Sequence, residues 1–577
     1  MSATTTKDSS VLHRVHEKVG EVFGADLRSL AVFRIVLALL VLIDLFNRAT
    51  NFYAHYTDAG IMPRTVLLEE VLSRWAVSVN LMNGEPLFQA AVFAAAAAAA
   101  LGMLVGYRTR LVTFIVWVLV LSIQWRNPLI LNSGDVLLRM LLFWGMFLPL
   151  GAFWSVDRAL KVAPPRLSMR FLSLATVALF LQIAFVYWFT AILKTDPAWR
   201  TDGTAIYYAL GSDQFATRIG AYLYQFPDLL TVLTYATVAL EAFGPFLLFF
   251  PFFTGPVRTG AVLAYMNLHF GIWLTMNVGL FSWTAALCMV CFLPTWFWDR
   301  AGKLYSALPE RAHVARRVRL AAAHLAYAYL SPVRTRLSRM VNALQPPLVG
   351  LAERGGNGPG RHAMRVISSP ETLAADPTQQ GHAAPEGEPE RGVAAGPKPT
   401  MLRSSLATNA LAFFFLVYVF LWNLGGVVSF TTVPERIVPL GTFLGLEQYW
   451  AMFAPAPPKG DLWHVIPGNL RDGRQVNLLP VASGDFSPHE LTWKKPPYVR
   501  EIYKNEHWRK YFENLNNDQF ANQRLYFGQY VCREWNARHT GSEQLMTFKI
   551  AYMWQPTHPG YRQSAPQETV LWEHHCF

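Results

Sequence analysis

A chain of 577 residues that is 53% hydrophobic and only 15% charged is not an ordinary soluble protein, in which about a quarter of residues are charged. Its net charge of +12 does not point to nucleic acid. About 15 of the 50 Lys and Arg residues fall in one block between Arg300 and Arg403, and no aromatic–basic recognition module accompanies them.

The apolar runs concentrate in residues 1–300, while 301–400 and 430–577 read as water-facing. The expected fold is an all-α polytopic membrane helical bundle of about nine transmembrane helices, followed by a smaller α+β soluble C-terminal domain. Residues 1–28 are polar and read as a cytoplasmic N-terminal segment. The first apolar run has no small-residue cleavage site after it, so the N-terminus is expected to be retained. Spans are expected at 29–46, 86–105, 110–125, 135–153, 170–193, 228–252, 259–276, 278–298 and 404–427, the first eight making a transmembrane domain over 29–298. The run Ala94 to Ala100 is explained by close helix packing alone.

Residues 299–352 form a basic cytoplasmic segment, and the Arg, Leu and Tyr spacing of 310–345 fits either an interfacial or a solvated helix. Residues 353–400, rich in Gly, Pro, Glu and Ala, read as a disordered linker before the ninth span. In 428–577, the segment 501–535 reads as helical, while 545–554 and 569–577 read as strands.

Orientation follows from the basic loops. Lys7, Arg14, Lys18 and Arg28, then Arg108 and Arg110, then Arg158, Lys161, Arg166 and Arg170, and finally the block 300–403 all fall on one side of a nine-span chain. That side is cytoplasmic, which leaves 428–577 extracytoplasmic, in the periplasm or its equivalent. An oxidising location permits a disulfide between Cys532 and Cys576. Cys288 and Cys291 read as two small buried residues, and no zinc-type spacing or other metal set is present in the sequence.

Ionisable side chains within spans are costly and need a partner or a role. Arg34, Asp44, Arg139 and Glu241 read as interhelical ion pairs that hold the bundle. Lys194 closes the fifth span, with Tyr187 and Thr190 expected on its helical face. A lysine there either snorkels to the interface or, when buried, serves as a general base toward a phenol-like or hydroquinone hydroxyl. His269, in the seventh span, is either a packing element or a catalyst. Asp135 opens the fourth span in LNSGD, with Ser133 as the best helix cap. Lys194, His269 and Asp135 are expected to meet at one outward-facing cavity, with Asn132 and Asn267 beside them.

The segments that carry these residues are FRIVLALLVLIDLFNR with FYAHYTDAGIMPR, RNPLILNSGDVLLRMLLFWGMFLPLGAFWSVD, VYWFTAILKTDPAWRTDGTAIYYAL and HFGIWLTMNVGLFSW. In order along residues 30–300 they resemble the HTTM family, the "horizontally transferred transmembrane" domain, which is related to the vitamin K-dependent gamma-carboxylase. WAMFAPAPPKGDLW at 450–463 and the ending LWEHHC resemble bacterial members, which implies a bacterial inner membrane.

The resemblance implies an enzyme of the carboxylase, carbon–carbon lyase type that uses a reduced vitamin K-type quinone at an outward-open site. In the carboxylase a lysine deprotonates the hydroquinone and oxygen generates a strong alkoxide base. That base removes a proton from a peptide glutamate, and carbon dioxide traps the carbanion. Lys194, followed by Trp199 five residues on, matches that lysine's pattern, and His269 matches a family histidine loosely. The partners implied are membrane lipid and a peptide substrate.

One position departs. Counting back from Trp154-Ser155-Val156-Asp157, a carboxylase histidine falls at about Gly134. The C-terminal domain is also much shorter than the carboxylase's luminal part. Two other functions stay open on the sequence. One is a maturation or export factor for a secreted peptide toxin, with 428–577 as a fused partner. The other is a non-enzymatic scaffold or transporter, against which no inverted repeat is visible.

Overall fold

In the computed structural model the described residues are 14–15, 17–161, 167–306, 401–428, 430, 432–558, 560 and 562–577. The expected helix at 310–345 and the linker at 353–400 lie outside them. The apolar runs fold as helices α1 (Leu27–Ala49), α2 (Pro86–Val105), α3 (Thr109–Arg126), α4 (Ser133–Gly145), α5 (Leu174–Leu193), α6 (Pro227–Leu248), α7 (Thr254–Thr275), α8 (Phe281–Cys288), α9 (Thr295–Ser306) and α10 (Leu406–Gly425).

Their ends follow local chemistry. Asp26, Ser173 and Ser405 cap α1, α5 and α10 by accepting from first-turn backbone N–H groups. Helix α2 begins on Pro86 and stops at Gly106, whose φ of +73° is a left-handed conformation that carries no Cβ penalty in glycine.

Among the described residues six helices (α1, α2, α3, α5, α6 and α10) are long and apolar enough to cross a membrane, or seven if the pair Phe281–Phe292 and Thr295–Tyr305, bent by 90°, is one span. The chain is thus a multi-pass membrane protein, but not by nine full-length spans. Helix α4 has only 13 residues, about 20 Å at 1.5 Å per residue, and the chain turns after Gly145. Helix α7 has 22 residues, but Arg258, Asn267 and His269 interrupt its apolar character. Hydropathy along the sequence does not see where a helix ends or bends, which is why α4 and the bent pair looked like spans, whereas α7 is long enough to span but too polar.

The C-terminal domain is α+β. Strand β6 (Leu545–His558) is the centre of an antiparallel sheet. Strands β3 (Gly460–Val465) and β4 (Pro467–Leu470) share one side of it, and β8 (Gln567–His575) takes the other. Strand β5 (Gln475–Asn477) extends β4, and β7 (Arg562–Gln563) pairs the end of β6. A short pair, β1 (Ala25–Asp26) with β2 (Arg170–Phe171), closes the helical part below α1. Helices α11 (Glu506–Leu515) and α12 (Gln523–Asn536) complete the domain. Cys532 of α12 is disulfide-bonded to Cys576, with Cα atoms 5.4 Å apart, so the last strand is tied to the helix as expected. Cys288 and Cys291 are free and buried.

The two parts are not beads on a linker. Residues 1–300 and 399–577 form one compact unit, while the second unit, 301–398, falls almost wholly outside the described residues. The union is made by buried contacts. Trp508 donates to the Asn51 side chain at 3.0 Å and packs its ring, tilted by 44°, against His55 with ring centres 4.3 Å apart. Asn514 donates to the Leu129 carbonyl, and the Gln182 and Gln448 amides meet at 2.8 Å. This packing brings polar groups of α11 and β3 against the open ends of α5, α6 and α7.

Candidate functional site

A cavity of about 900 Å³ lies between those helix ends and the C-terminal domain. On the helical side, α5 contributes Tyr187 and its capping residue Lys194, α6 contributes Leu240 and Glu241, and α7 contributes Asn267 and His269. Trp199 and Asn132 also line it. On the other side stand Met452, Phe453 and Pro458, then His464, Tyr503 and the α11 residues Glu506, Arg509 and Glu513.

Lys194 is 3% exposed and does not reach a headgroup region by snorkelling. Its Nζ lies 2.6 Å from each carboxylate oxygen of Glu241 and 4.1 Å from the Trp199 ring centre. Trp199 is itself fixed by a 2.9 Å hydrogen bond from its indole N–H to the Phe453 carbonyl. Asp196, the other acid near Lys194 in sequence, pairs instead with Lys459 at 3.1 Å. Beyond the dyad, the Tyr187 hydroxyl and His269 Nε2 are 2.8 Å apart, and His269 Nδ1 is buried with no hydrogen-bond partner among the described residues.

The helical side is also what the family comparison covers: the model of the HTTM domain family matches residues 24–296. Residues 24–296 form an HTTM domain. No curated protein and no solved structure matches the chain.

The HTTM domain places most of the expected residues together, but not all. Tyr187, Lys194, Trp199, Asn132, Asn267 and His269 share the cavity. Asp135 does not. Its carboxylate folds back onto the Asn132 backbone N–H at 2.8 Å and pairs with Arg48, so it serves the helix start and the bundle. The cap of α4 is Asn132, which accepts from Gly134 N and Asp135 N, whereas Ser133 is the first helical residue. Thr190 is also absent from the cavity wall. Its hydroxyl oxygen lies 2.6 Å from the Val186 carbonyl and 3.0 Å from that of Trp450. The i, i+4 rule fails here because Lys194 sits at the helix end with φ −74° and ψ +79°, so its side chain leaves the α5 face.

The four intramembrane charges do not form the expected set of ion pairs among themselves. Arg34 donates to the backbone carbonyls of Leu150 and Trp154. Arg139 reaches the Gln124 side chain at 2.9 Å and the Glu447 carbonyl at 3.1 Å. Asp44 pairs with Arg48 at 2.7 Å, and Arg48 also bridges to Asp135. Ligand atoms of Asp44, Asp135 and His507 lie within 4.8 Å of one another, but this guanidinium already bridges the two carboxylates. Glu241 does form an interhelical pair, but with Lys194 of α5 and not with another of the four.

Space is tight at Gly134, near which the resemblance set the carboxylase histidine. A Cβ at Gly134 would lie 2.6 Å from the Phe281 backbone nitrogen and 2.8 Å from its Cα. Helix α4 touches the start of α8 there, so no histidine side chain fits.

Three contributions escaped the sequence reading: Glu241 as the lysine's partner, the 450–463 segment as cavity wall, and the pair His464–Tyr503. The first had a signal, since Glu241 is an intramembrane acid with no i±3 or i±4 basic partner on α6. The others depend on how the C-terminal domain docks.

Proposed function

We propose that the HTTM cavity binds a reduced quinone of the vitamin K type and that the Lys194–Glu241 dyad takes the proton from its hydroxyl. The observation that carries this reading is a buried dyad, 2.6 Å across, facing a largely apolar cavity of about 900 Å³. That volume falls within the range of about 300–1,000 Å³ usual for small-molecule sites, and a few polar groups in an apolar wall suit an aromatic ring with a polar head. When bound, a hydroquinone supplies an ionisable hydroxyl and reducing equivalents. Residues Lys194, Glu241, Asn267 and His269 would hold its polar end.

The dyad shares one proton between two basic sites. In one arrangement the base is the Glu241 carboxylate beside an ammonium. In the other it is the Lys194 amine beside a neutral acid. Taking up a second proton leaves the wall of the cavity positive, which favours an anion next to it. His269, hydrogen-bonded to Tyr187, is a second group able to pass a proton along the same wall. Because Gly134 leaves no room for the carboxylase histidine, the reading stops at proton removal and does not extend to glutamate carboxylation.

The basic loops support an N-terminus in the cytoplasm and a C-terminal domain outside, which needs an odd number of crossings, such as the seven obtained with the bent pair as one span, and the likeness of 450–463 to bacterial members suits a bacterial inner membrane. A cytoplasm-only reporter fused at the C-terminus is expected to be silent, and a strong signal reverses this orientation.

The decisive experiment is mass spectrometry of lipid extracted from the purified protein, paired with quinol-dependent turnover of Lys194→Ala, Lys194→Arg and Glu241→Gln. A co-purifying quinone and loss of turnover in Lys194→Ala and Glu241→Gln are expected. Turnover in Lys194→Arg assigns the base to Glu241, because Arg does not deprotonate. Finding no bound quinone and no effect of these substitutions would end the proposal.

A second reading, maturation of a secreted peptide, is favoured by one observation: residues 450–463 and α11 wall the same cavity, so a peptide approaching along the C-terminal domain would meet it. A small secreted peptide encoded beside this gene would support it, and accumulation of that peptide unprocessed in a deletion strain would test it.

A further inference from the structure

The cavity contains two tyrosine–histidine pairs. One is Tyr187–His269 on the HTTM side. The other belongs to the C-terminal domain, where the Tyr503 hydroxyl is 2.6 Å from His464 Nδ1 and His464 Nε2 is 2.9 Å from Asn516 Oδ1. All three line the cavity, and His464 and Tyr503 are buried to within 3% and 7% of full enclosure.

The hydrogen-bond directions in this triad are fixed by chemistry. An amide oxygen only accepts, so His464 Nε2 carries the hydrogen. Burial pushes the His464 imidazole down to about 4, so the ring is neutral at pH 7 and Nδ1 is bare. Tyr503 must then donate its only proton to Nδ1, and its oxygen is left with acceptor capacity alone.

The neighbouring charges do not offset this. Arg509 directs Nε and Nη2 to Glu506 at 2.8 and 2.6 Å and Nη1 to Glu513 at 2.8 Å. Lys510 is 3.0 Å from Glu513. Two cations are thus matched by two carboxylates, and an incoming anion meets no uncompensated positive charge on this side.

We propose that the C-terminal-domain side of the cavity is a hydrogen-bond acceptor site, set by Tyr503 and His464, that selects a ligand bearing a neutral hydroxyl or amide N–H over an ether or a carboxylate. The inference rests on reading this cavity as the ligand site, but not on the chemistry of Lys194 and Glu241. It also gives the site a means of favouring a hydroquinone, which has hydroxyl donors, over the corresponding quinone, which has none.

Three probes that share one naphthalene ring and one position of substitution test it: 2-naphthol, 2-methoxynaphthalene and 2-naphthoate, titrated calorimetrically into the full-length protein in detergent at pH 7. The naphthol is expected to bind about tenfold tighter than the ether, the worth of one well-placed hydrogen bond, and tighter still than the carboxylate. Tyr503→Phe is expected to bring naphthol and ether within about twofold of each other, leaving the ether's affinity as it was. His464→Leu frees the Tyr503 proton for donation, so there the ether is expected to gain affinity; this second variant serves if Tyr503→Phe folds poorly. Equal binding of naphthol and ether by the unaltered protein, a preference for the carboxylate, no binding of any probe, or a preference unmoved by either variant each overturns the inference. If Lys194→Ala abolishes the preference while Tyr503→Phe does not, donor recognition belongs to the HTTM side. The inference about Tyr503 then falls while the proposed role of the dyad stands.

Discussion

Lys194 at the end of α5 and Glu241 in the middle of α6 are 47 residues apart in sequence and 2.6 Å apart in space, both almost fully buried. Each is the other's compensation. A lysine without that carboxylate would be a buried cation with only the Trp199 ring against it. A Glu241 without the lysine would be an unpaired anion among apolar side chains.

This pairing sets the first expectation. Removing one partner of a buried ion pair leaves the other uncompensated and costs about 3–5 kcal/mol. Lys194→Ala is therefore expected to lower the melting temperature in detergent as well as abolish turnover, and Glu241→Gln to do both to a smaller degree. A double variant, Lys194→Met with Glu241→Leu, should regain most of the stability but none of the activity. A single Lys194→Ala protein that melts like the parent would show that the pair contributes nothing to the fold.

Gly134 gives a second expectation. The smallest side chain placed there lies 2.6 Å from backbone of α8, and backbone does not step aside as a flexible side chain would. Gly134→Ala is expected to cost about 1–3 kcal/mol, as overpacked cores do, and Gly134→His to prevent accumulation of folded protein. Normal yield and normal melting of Gly134→His would mean that α4 and α8 separate easily, and the carboxylase-like histidine could then be restored.

The disulfide closes a loop of 44 residues between Cys532 and Cys576. Constraining a loop of that length in the unfolded chain is worth about 3–4 kcal/mol. Cys576→Ser should lower the stability of the C-terminal domain by about that amount, read as protease sensitivity of 428–577. Finding both thiols free by non-reducing peptide mapping of protein from an oxidising compartment would remove the claim.

Acid should loosen the C-terminal domain. Burial depresses His464 to about 4 and His507 to about 3, both below the unfolded value of 6.5. Between those values and 6.5 the unfolded chain binds more protons than the folded one. The stability these neutral rings contribute is therefore complete above pH 6.5 and is lost as pH falls toward 4 and 3. Asp461 acts in the opposite sense, because burial raises it to about 6 and stability from that group declines as pH rises from 3.8 through 6. Melting temperatures measured from pH 7.5 to pH 4.5 should fall, and the fall should be shallower in His507→Leu. An unchanged slope in that variant would assign the acid sensitivity elsewhere.

The sequence by itself determined the class of molecule and much of the site. Long apolar runs must become helices in a membrane, because no other open structure satisfies the backbone there. The strand and helix patterns of 501–577 and the pairing of Cys532 with Cys576 were equally legible. Lys194 and Asn132 stand at helix ends and Trp199 just beyond one, while Tyr187, Asn267 and His269 lie about two turns inside α5 and α7 on the same side of the bundle.

What only the tertiary structure decided was partnership. Asp135 turned to its own helix start, and Thr190 turned to the Trp450 carbonyl, because helix-face geometry ends where the helix does. Glu241 could not be matched to Lys194 by spacing, since the match arises from two helices converging. Tyr503 and His464 entered the cavity only because α11 and β3 dock on the HTTM domain through Trp508, Asn514 and Gln448. Local sequence sets which residues are polar and which helix carries them; which polar groups meet is fixed by long-range packing, whose information is spread over both surfaces that come together.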